Sequence, residues 1–473
     1  MKKLFVVLLF GLSFCVFADA NPPAPITFTT QLKPINPEAI DSQVLSQMAV
    51  QFNGSKNPQV IIVLDNAIIK YYDGNSNYDW KVLHSGTGWD GALKQGGGGT
   101  TKIVSQMAVQ FNDSKNPYIV VGEWGGFVDF YNGDTWQAIS DRNWAYSNVS
   151  SLWVQFNGAN YPSVVAGFGS GDGDINFYNG NSDLTWTKLN PNSDYFQYTM
   201  AYTVKYLFVQ YNGPDNNPSI ITLMDPIDPV TPIFLYYYNS SKNTWYNLVA
   251  SSYLDYYVSQ VSAQFDSSNY YMALSVLPNA QIPNGISRIA FFNGSKWNNL
   301  QETQTSMTGK FDIQFNGSKN PYIVATTTDS KVQFFDGDNW IELPNPNLTI
   351  TKLYTQFNGT NKPYIVAGDN SNVIRFFNGQ QWVELCSGEK ALTSNMISGK
   401  SSIMRVNFNG DKNPCIVLGD IQNDNAFFFN GSSWVSILKN TDLAKEHKAE
   451  QQLEKDEIGA SGVMENDTLQ ETP

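Results

Sequence analysis

A phrase of the form V-Q-F-N-G-S-K-N-P-Y-I-V recurs eight times along the chain. Each copy holds an asparagine or aspartate at a fixed place, and neighbouring copies are on average about 51 residues apart. These anchor residues are Asn53, Asn112, Asn157, Asn212, Asp266, Asn316, Asn358 and Asn409. Such a period is typical of architectures in which each unit packs only against its neighbours. A length of 473 residues would otherwise suggest about three domains, but the repeat predicts a single array.

A second phrase follows each anchor and consists of two adjacent aromatic residues, a short turn and a tryptophan. The tryptophans are Trp80, Trp136, Trp186, Trp245, Trp297, Trp340, Trp382 and Trp434. In the second copy, runs rich in β-branched and aromatic residues cover 106–111, 118–121, 127–131 and 136–139. Asn, Gly, Asp and Pro lie between these runs, which predicts four short strands, named a, b, c and d, joined as an antiparallel meander.

Both faces of each predicted sheet are apolar. The two aromatic residues of a pair, such as Phe130 and Tyr131, are consecutive in strand c, so their side chains point to opposite faces. A sheet that needs cover on both faces and repeats about every 50 residues is typical of a β-propeller blade. The sequence therefore predicts an all-β fold, an eight-bladed β-propeller of four-stranded antiparallel blades over residues 46–438. The eight tryptophans are interpreted mainly as packing residues.

The repeated phrase resembles the D-x-N-x-D-G-x-x-D-L-V-V-G unit of FG-GAP/VCBS repeats, the integrin α-type β-propeller family. Residues 314–324 carry this likeness, and residues 332–335 resemble the strand that follows in the family. The resemblance implies the propeller fold and a calcium-binding loop. Asn316 keeps its residue type, but the family's carboxylates are replaced by Gln314, Ser318 and Tyr322. Calcium prefers about six to eight oxygen ligands that include carboxylates, so neither a metal nor another cofactor is expected.

The N-terminal residues differ from the repeats. Residues 1–20 contain two lysines, an apolar run and Ala18-Asp19-Ala20, which is the order of a secretory signal peptide cleaved after Ala20. The apolar run is too short to span a bilayer of about 30 Å, and no membrane span is expected in the mature chain. The protein is therefore expected to be secreted or periplasmic. Residues 21–45 form a predicted N-terminal extension, in which 26–32 is a strand that pairs with the last or first blade.

The C-terminal residues 439–473 carry nine acidic and four lysine side chains and no aromatic residue, which predicts a flexible acidic tail. The whole chain has a formal net charge of −13 and only two histidines. This composition disfavours a nucleic-acid partner, a histidine-built zinc site and a Ser-His-Asp triad. Cys386 and Cys415 are predicted to stay free, because their strand positions lie about 13 Å apart and a disulfide needs Cα atoms within about 7 Å.

The alternation of strand directions separates the loops of the ring into two sets. All a–b and c–d turns lie at one end and are uniform, whereas the b–c and d–a loops lie at the other end and vary in length. Rigid scaffolds carry binding residues on variable loops. The predicted ligand-binding residues are therefore the aromatic residues of these loops: Trp89, Trp124, Trp144, Tyr146, Tyr195, Phe196, Tyr198, Tyr253, Tyr256 and Tyr257.

Three classes of function fit this organisation. We favour an exported, non-enzymatic recognition propeller that binds an extracellular glycan or protein through its variable-loop face, since exposed aromatic residues suit both partners. The alternative is a hydrolase or lyase acting on polysaccharide, which requires two convergent acids, and Asp225 and Asp228 are the acids considered for it. A structural role in surface assembly is the third.

Overall fold

The computed structural model describes residues 28–29 and, with gaps, residues 45–437. Between residues 45 and 437, the longest stretches outside the described residues are 86–103, 190–201 and 388–402. The described residues form eight antiparallel sheets, each with four consecutive strands, and contain no helix. The predicted all-β, eight-bladed β-propeller is confirmed. No described helix is long and apolar enough to cross a membrane.

The strands of the first half of the ring keep chain order within each blade. The first strand of the chain, β1 (Phe28–Thr29), joins blade two. Blade one contains β2 (Leu45–Asn53), β3 (Lys56–Leu64), β4 (Ile68–Tyr72) and β5 (Trp80–Ser85). Blade two contains β6 (Val104–Asn112), β7 (Lys115–Glu123), β8 (Val128–Tyr131) and β9 (Trp136–Ala138). Blade three contains β10 (Val149–Asn157), β11 (Asn160–Phe168), β12 (Ile175–Tyr178) and β13 (Trp186–Lys188). Blade four contains β14 (Tyr202–Asn212), β15 (Asn217–Pro226), β16 (Phe234–Asn239) and β17 (Thr244–Asn247).

The second half of the ring repeats the same order. Blade five contains β18 (Tyr256–Asp266), β19 (Asn269–Pro278), β20 (Arg288–Phe292) and β21 (Trp297–Asn299). Blade six contains β22 (Met307–Asn316), β23 (Lys319–Thr327), β24 (Val332–Phe335) and β25 (Trp340–Glu342). Blade seven contains β26 (Lys352–Asn358), β27 (Asn361–Gly368), β28 (Val373–Phe377) and β29 (Trp382–Ser387). Blade eight contains β30 (Ile403–Asn409), β31 (Lys412–Asp420), β32 (Asn425–Phe429) and β33 (Trp434–Ser436).

The core of the molecule lies between the blades, because each sheet is apolar on both faces. Phe130 packs with residues of blade three, whereas its chain neighbour Tyr131 packs with residues of blade one. Eight such clusters surround the axis, one for each pair of adjacent blades. The cluster that joins Leu45 of blade one to Val417 of blade eight closes the ring. Burying apolar area between units stabilises the array by about 25 cal/mol for each Å² removed from water.

The polar residues of the repeated phrases build the uniform end of the ring. In blade two the amide of Asn116, which follows the a–b turn, donates to the carbonyl of Gly133 in the c–d turn, at 3.0 Å. The Asn132 side chain in turn accepts hydrogen bonds from the backbone N–H groups of Asp134 and Thr135. Glycine is required at this turn because Gly133 has a φ of +92°. Both turns therefore lie at the same end, as the strand directions predict.

Each of the eight repeated tryptophans forms a hydrogen bond to the preceding blade. The indole N–H of Trp186 in blade three, for example, donates to the carbonyl of Ile139 in blade two, at 2.6 Å. In seven blades the acceptor lies three residues after the preceding tryptophan, and in the eighth it is Pro344, four residues after Trp340. The bond from Trp80 to Ile437 makes this circle continuous across the closure. The tryptophans are thus only half-buried packing residues and also connect the blades through this outer hydrogen-bond ring.

A second circle of hydrogen bonds joins the first strands of the blades, which contact one another around the axis. In each case a side chain of one first strand bonds to the backbone of the next. The donors or acceptors, in chain order, are Gln47, Gln106, Ser150, Tyr206, Gln260, Asp312, Tyr354 and Arg405. Arg405 closes this inner hydrogen-bond ring by donating to the Met48 carbonyl of blade one, at 2.9 Å.

The short strand β1 corrects one expectation. It pairs antiparallel with β6, with Phe28 opposite Val109 and Thr29 opposite Ala108, so it adds to the inner edge of blade two. The prediction that this segment pairs with the first or last blade is wrong. Closure needs no added strand, because the cluster and the hydrogen bonds between blades eight and one already join them.

Cys386 and Cys415 are free and buried, as predicted. Their side chains lie on opposite faces of the sheet of blade eight. Cys386 at the end of β29 lies in the cluster between blades seven and eight, and Cys415 of β31 lies in the cluster between blades eight and one. Burial raises the pKa of the Cys415 thiol. The sheet of blade eight therefore separates the two sulfur atoms, which explains why no disulfide joins them.

The carboxyl group of Asp312 makes stability depend on pH. Its two oxygens accept the backbone N–H groups of Ile313 and, across the blade junction, Thr355, at 3.0 and 2.9 Å. Burial between the blades raises the pKa of Asp312 to about 7 in spite of these bonds. Because the pKa is higher in the folded than in the unfolded chain, this group stabilises the fold at acidic pH and loses that contribution as the pH rises through about 7.

Asp312→Asn tests this dependence, because the amide does not titrate. The stability of the natural protein relative to the variant is expected to fall by about 2 kcal/mol between pH 5 and pH 8. Denaturant unfolding at several pH values measures the difference. Asp338→Asn in the exposed c–d turn of the same blade controls for the change of net charge. Parallel stability curves for Asp312→Asn and the natural protein would contradict the prediction.

Candidate functional site

Most of the predicted ligand-binding residues lie outside the described residues. These are Trp89, Trp144, Tyr146, Tyr195, Phe196, Tyr198 and Tyr253. Their assignment to the variable-loop face stays a prediction. The segments predicted to be a signal peptide and an acidic tail also lie outside the described residues.

Tyr256 and Tyr257 do not belong to a loop. They are the first residues of β18, where they pair with Pro278 and Leu277 of β19. The prediction that placed them in the d–a loop is wrong about their position. The β-branched and aromatic residues after Asp255 extend the first strand of blade five by two residues in the loop direction, because a neighbouring long strand is available to pair with them.

Trp124 lies in the b–c turn of blade two, at the variable-loop end as predicted, and its side chain is half-buried. The turn is tight and closed by two backbone hydrogen bonds. The N–H of Gly126 donates to the carbonyl of Glu123, and the N–H of Glu123 donates to the carbonyl of Phe127. Gly125 has a φ of +102°, a conformation that other residues rarely adopt. Trp124 is therefore held on a rigid turn and is available for contact at this end of the ring.

The acid considered for glycoside hydrolysis is engaged in an ion pair. The carboxylate of Asp225 lies 2.8 Å from the ammonium group of Lys205, and both side chains are largely buried. Asp228 lies outside the described residues. Within the described ranges, no three His, Cys, Asp or Glu side chains come together as a metal site would require.

A cluster of tyrosines at the junction of blades four and five forms a surface that the repeats do not predict. We name Tyr237, Tyr246 and Tyr270 the tyrosine surface. Tyr246 is 38% exposed and, with Val82, one of two exposed large apolar residues in the described part of the chain. Its ring stacks beside that of Tyr237, with centroids 6.1 Å apart and an interplanar angle of 23°. The ring of Tyr237 also contacts that of Tyr270 in blade five, with centroids 4.3 Å apart.

Two departures from the repeat create this surface. Tyr270 occupies the position at which the other seven blades have a proline: Pro58, Pro117, Pro162, Pro218, Pro321, Pro363 and Pro414. Tyr246 follows the repeated tryptophan, where the other blades have Lys, Gln, Thr, Asn, Ile or Val. Proline has no side chain that could reach the neighbouring blade. Its replacement lets the ring of Tyr270 contact Tyr237 across the junction and stack on Phe292 of its own blade, with ring centroids 5.4 Å apart in the stacked pair.

The hydroxyl groups of the tyrosine surface lie close enough to affect one another. Burial, together with the neighbouring Tyr237 and Tyr246, raises the pKa of Tyr270 to about 12. The pKa of Tyr237 is also raised, first by burial and then by Tyr246, although a hydrogen bond with Ser219 acts in the opposite direction. Both hydroxyls therefore stay protonated at neutral pH and can donate as well as accept hydrogen bonds. The surface combines a partly exposed tyrosine ring with two protonated hydroxyl groups beside it.

Sequence reasoning missed this surface because it searched only the variable loops. Tyr237 belongs to a repeated aromatic pair and looks like a core residue, and Tyr270 lies beside an a–b turn at the uniform end. The available signal was the fifth copy of the phrase, which loses its proline.

The sequence matches no protein-family model and no curated protein. Similar solved structures include the Dos1 propeller, with 14% identity and a TM-score of 0.44 over 72% of this chain and 80% of that one. The computationally designed Ika8 protein has 16% identity and a TM-score of 0.46 over 82% and 96%. A mutant of Aleuria aurantia lectin in complex with alpha-methyl-L-fucoside has 12% identity and a TM-score of 0.33 over 60% and 92%. The strand order of this chain itself shows an eight-bladed β-propeller.

Proposed function

We propose that this protein is an exported, non-catalytic recognition propeller that binds a carbohydrate through its tyrosine surface. The observation that carries the proposal is the exposed ring of Tyr246, held by stacking beside Tyr237 at the one junction where Tyr270 replaces proline. Sugar rings present C–H faces that pack on aromatic rings and hydroxyls that exchange hydrogen bonds with neighbouring groups. Export rests on the signal-like residues 1–20, and kinship with integrin α-type repeats rests on the repeated phrase.

The scaffold supports binding better than catalysis. Tyr237 and Tyr270 are each fixed by neighbours in two blades, so that little side-chain entropy is lost when a ligand binds. Tyrosine hydroxyls whose pKa is raised are poor general bases at neutral pH, because they stay protonated. A rigid, protonated and partly exposed aromatic group is suited to weak, reversible contact with a sugar.

A glycan array probed with the full chain tests the proposal, followed by titration of the best-bound glycan. Tyr246→Ala is expected to weaken binding at least about tenfold, because it removes the exposed ring face. Tyr246→Phe keeps the ring and is expected to lose only a few-fold. Val82→Ala, at the other exposed large apolar side chain, is the matched control and is expected to bind like the natural protein.

Two outcomes count against the proposal. One is unchanged binding by Tyr246→Ala when thermal unfolding shows that the variant is folded. The other is the absence of any bound glycan on the array. Trp124→Ala provides a further comparison, since loss of binding there but not in Tyr246→Ala would place the site on the variable-loop face instead.

A further inference from the structure

Ten Asn-Gly pairs lie in turns that the structure describes, and they form two sets of five. The asparagines in the a–b turns are Asn53, Asn157, Asn316, Asn358 and Asn409. Those in the c–d turns are Asn132, Asn179, Asn293, Asn378 and Asn430. An asparagine before glycine is the one most easily attacked by its own backbone, because glycine has no Cβ atom to hinder the approach. Since all ten pairs have the same two residue types, the structure decides which of them react.

The a–b turns leave their asparagine side chains without restraint. In blade one the strand ladder ends with Asn53 opposite Lys56, and Gly54 begins a two-residue loop with a φ of +58°. A Cβ atom at Gly54 would meet nothing within 4 Å, and the same holds in blades three, seven and eight, while in blade six only the Tyr271 hydroxyl is so near. All five asparagines are exposed, and within the described residues none has a side-chain hydrogen bond. We name these five the open turns.

The c–d turns hold their asparagines in place. The Oδ1 atom of Asn293 accepts hydrogen bonds from the backbone N–H groups of Ser295 and Lys296, at 3.1 and 3.0 Å. Two such bonds also hold the asparagines of blades two, seven and eight, whereas Asn179 of blade three has one. A Cβ atom at the five glycines would lie between 2.9 and 3.6 Å from strand b of the same blade, so these turns are also crowded. We name them the bonded turns.

We propose that the asparagines of the open turns are sites of spontaneous conversion to aspartate and isoaspartate, and that the bonded turns protect theirs. The glycine nitrogen gives up its proton and attacks Cγ of the asparagine, so that a bond between these two atoms forms. The bond from Cγ to Nδ2 breaks, and this nitrogen takes up a proton and leaves as ammonia. Water then opens the resulting succinimide: attack at Cγ gives aspartate, and attack at the backbone carbonyl carbon gives isoaspartate.

The hydrogen bonds of the bonded turns oppose the first step. The asparagine side chain must rotate toward the following nitrogen before Cγ can be attacked. In an open turn this rotation breaks no side-chain hydrogen bond, whereas in a bonded turn it breaks one or two. The loss of two such bonds slows the reaction at least about tenfold. The succinimide ring also needs room beside the glycine, which the open turns provide and strand b restricts in the bonded turns.

The fold can accept the aspartate product. Blade five already has an aspartate at the anchor, and Asp266 pairs with Asn269 in the same register as Asn53 with Lys56. Isoaspartate lengthens the main chain, but only beside a two-residue exposed loop. Each conversion adds one negative charge at the uniform end of a chain whose formal net charge is −13. In blades one, six and eight the new carboxylate arises opposite a lysine. The modification therefore changes the charge of this end and leaves the blades in place.

Peptide mapping by mass spectrometry tests the proposal on the full chain, incubated in the folded state at pH 8 and 37 °C. Asparagines of the open turns are expected to convert at least about tenfold faster than those of the bonded turns that have two hydrogen bonds. Asn179, which has one such bond, is expected to convert at an intermediate rate. The measurement needs no ligand and no variant, so it is independent of the tyrosine surface and of whether a variant folds.

The same chain unfolded in guanidinium chloride is the matched control. Without the turns, the ten sites differ only in the residues that flank the Asn-Gly pair, and their rates are expected to lie within about threefold of one another. Equal rates for the open and bonded turns in the folded protein would overturn the proposal. A tenfold spread that persists in the unfolded chain would overturn it too, because the turn structure would then not be its cause.

Discussion

Gly122→Ala is expected to lower the free energy of unfolding by about 2 kcal/mol, although the exchange adds one methyl group. Gly122 lies near the end of strand b in blade two, and a Cβ atom there would lie 2.5 and 2.8 Å from Cγ1 and Cβ of Val149. Val149 is the fully buried first residue of β10 in blade three. Rotation about χ1 can move Cγ1 of Val149, but its Cβ atom moves only with the backbone of the next blade, so the contact at 2.8 Å forces the two blades apart.

Gly368 provides the matched control, since it occupies the same position in blade seven. A Cβ atom there would first meet the flexible end of Met404, at 3.6 Å, which is an ordinary contact. Gly368→Ala is therefore expected to be neutral or slightly stabilising, because alanine loses less backbone entropy on folding than glycine. Thermal and denaturant midpoints of the two variants measure the contrast. Equal midpoints would show that blades two and three are not packed as closely as the distances between Gly122 and Val149 indicate.

Trp186→Ala is expected to destabilise the protein by about 3 kcal/mol, whereas Trp186→Phe should cost only about 1 kcal/mol. Both exchanges remove the hydrogen bond from the indole N–H to the Ile139 carbonyl, but phenylalanine keeps an aromatic ring stacked on Tyr178. The difference between the two variants separates packing from the contribution of the outer hydrogen-bond ring.

Denaturant unfolding of both variants, with Trp124→Ala as a tryptophan control in the b–c turn, provides the measurement. The control is expected to unfold close to the natural protein, because Trp124 does not take part in the outer hydrogen-bond ring. A cost for Trp186→Phe as large as that for Trp186→Ala would mean that the hydrogen bond, not the ring, dominates. A negligible cost for both would contradict the role of Trp186 at the blade junction.

The repeated residues predicted the fold because each one satisfies a local requirement. Phe130 and Tyr131 place apolar side chains on both faces of their strand, so both faces must be buried. The Asn-Gly turns join consecutive strands as antiparallel hairpins, independently of the rest of the chain. Eight consecutive sheets that are each apolar on both faces fit few architectures other than a ring of blades. The same reasoning placed Cys386 and Cys415 correctly, because strand direction and parity are properties of the repeat.

The candidate sites were predictable only in part. The position of Trp124 in a loop at the predicted end is confirmed, but seven of the ten predicted aromatic residues fall outside the described residues. Tyr246 and Tyr270 are far apart in sequence and belong to different blades, so their proximity depends on how blades four and five pack.

What the sequence determined by itself is the unit and its number: four strands, two apolar faces, uniform turns at one end and eight copies. What only the tertiary structure decided is every interaction between units, including the pairing of β1 with blade two, the hydrogen-bond rings and the closure by Arg405. The physical reason is that turn geometry and strand parity are local properties of the chain. Contacts across a junction depend instead on the angle and distance between two sheets, which packing of the whole ring sets.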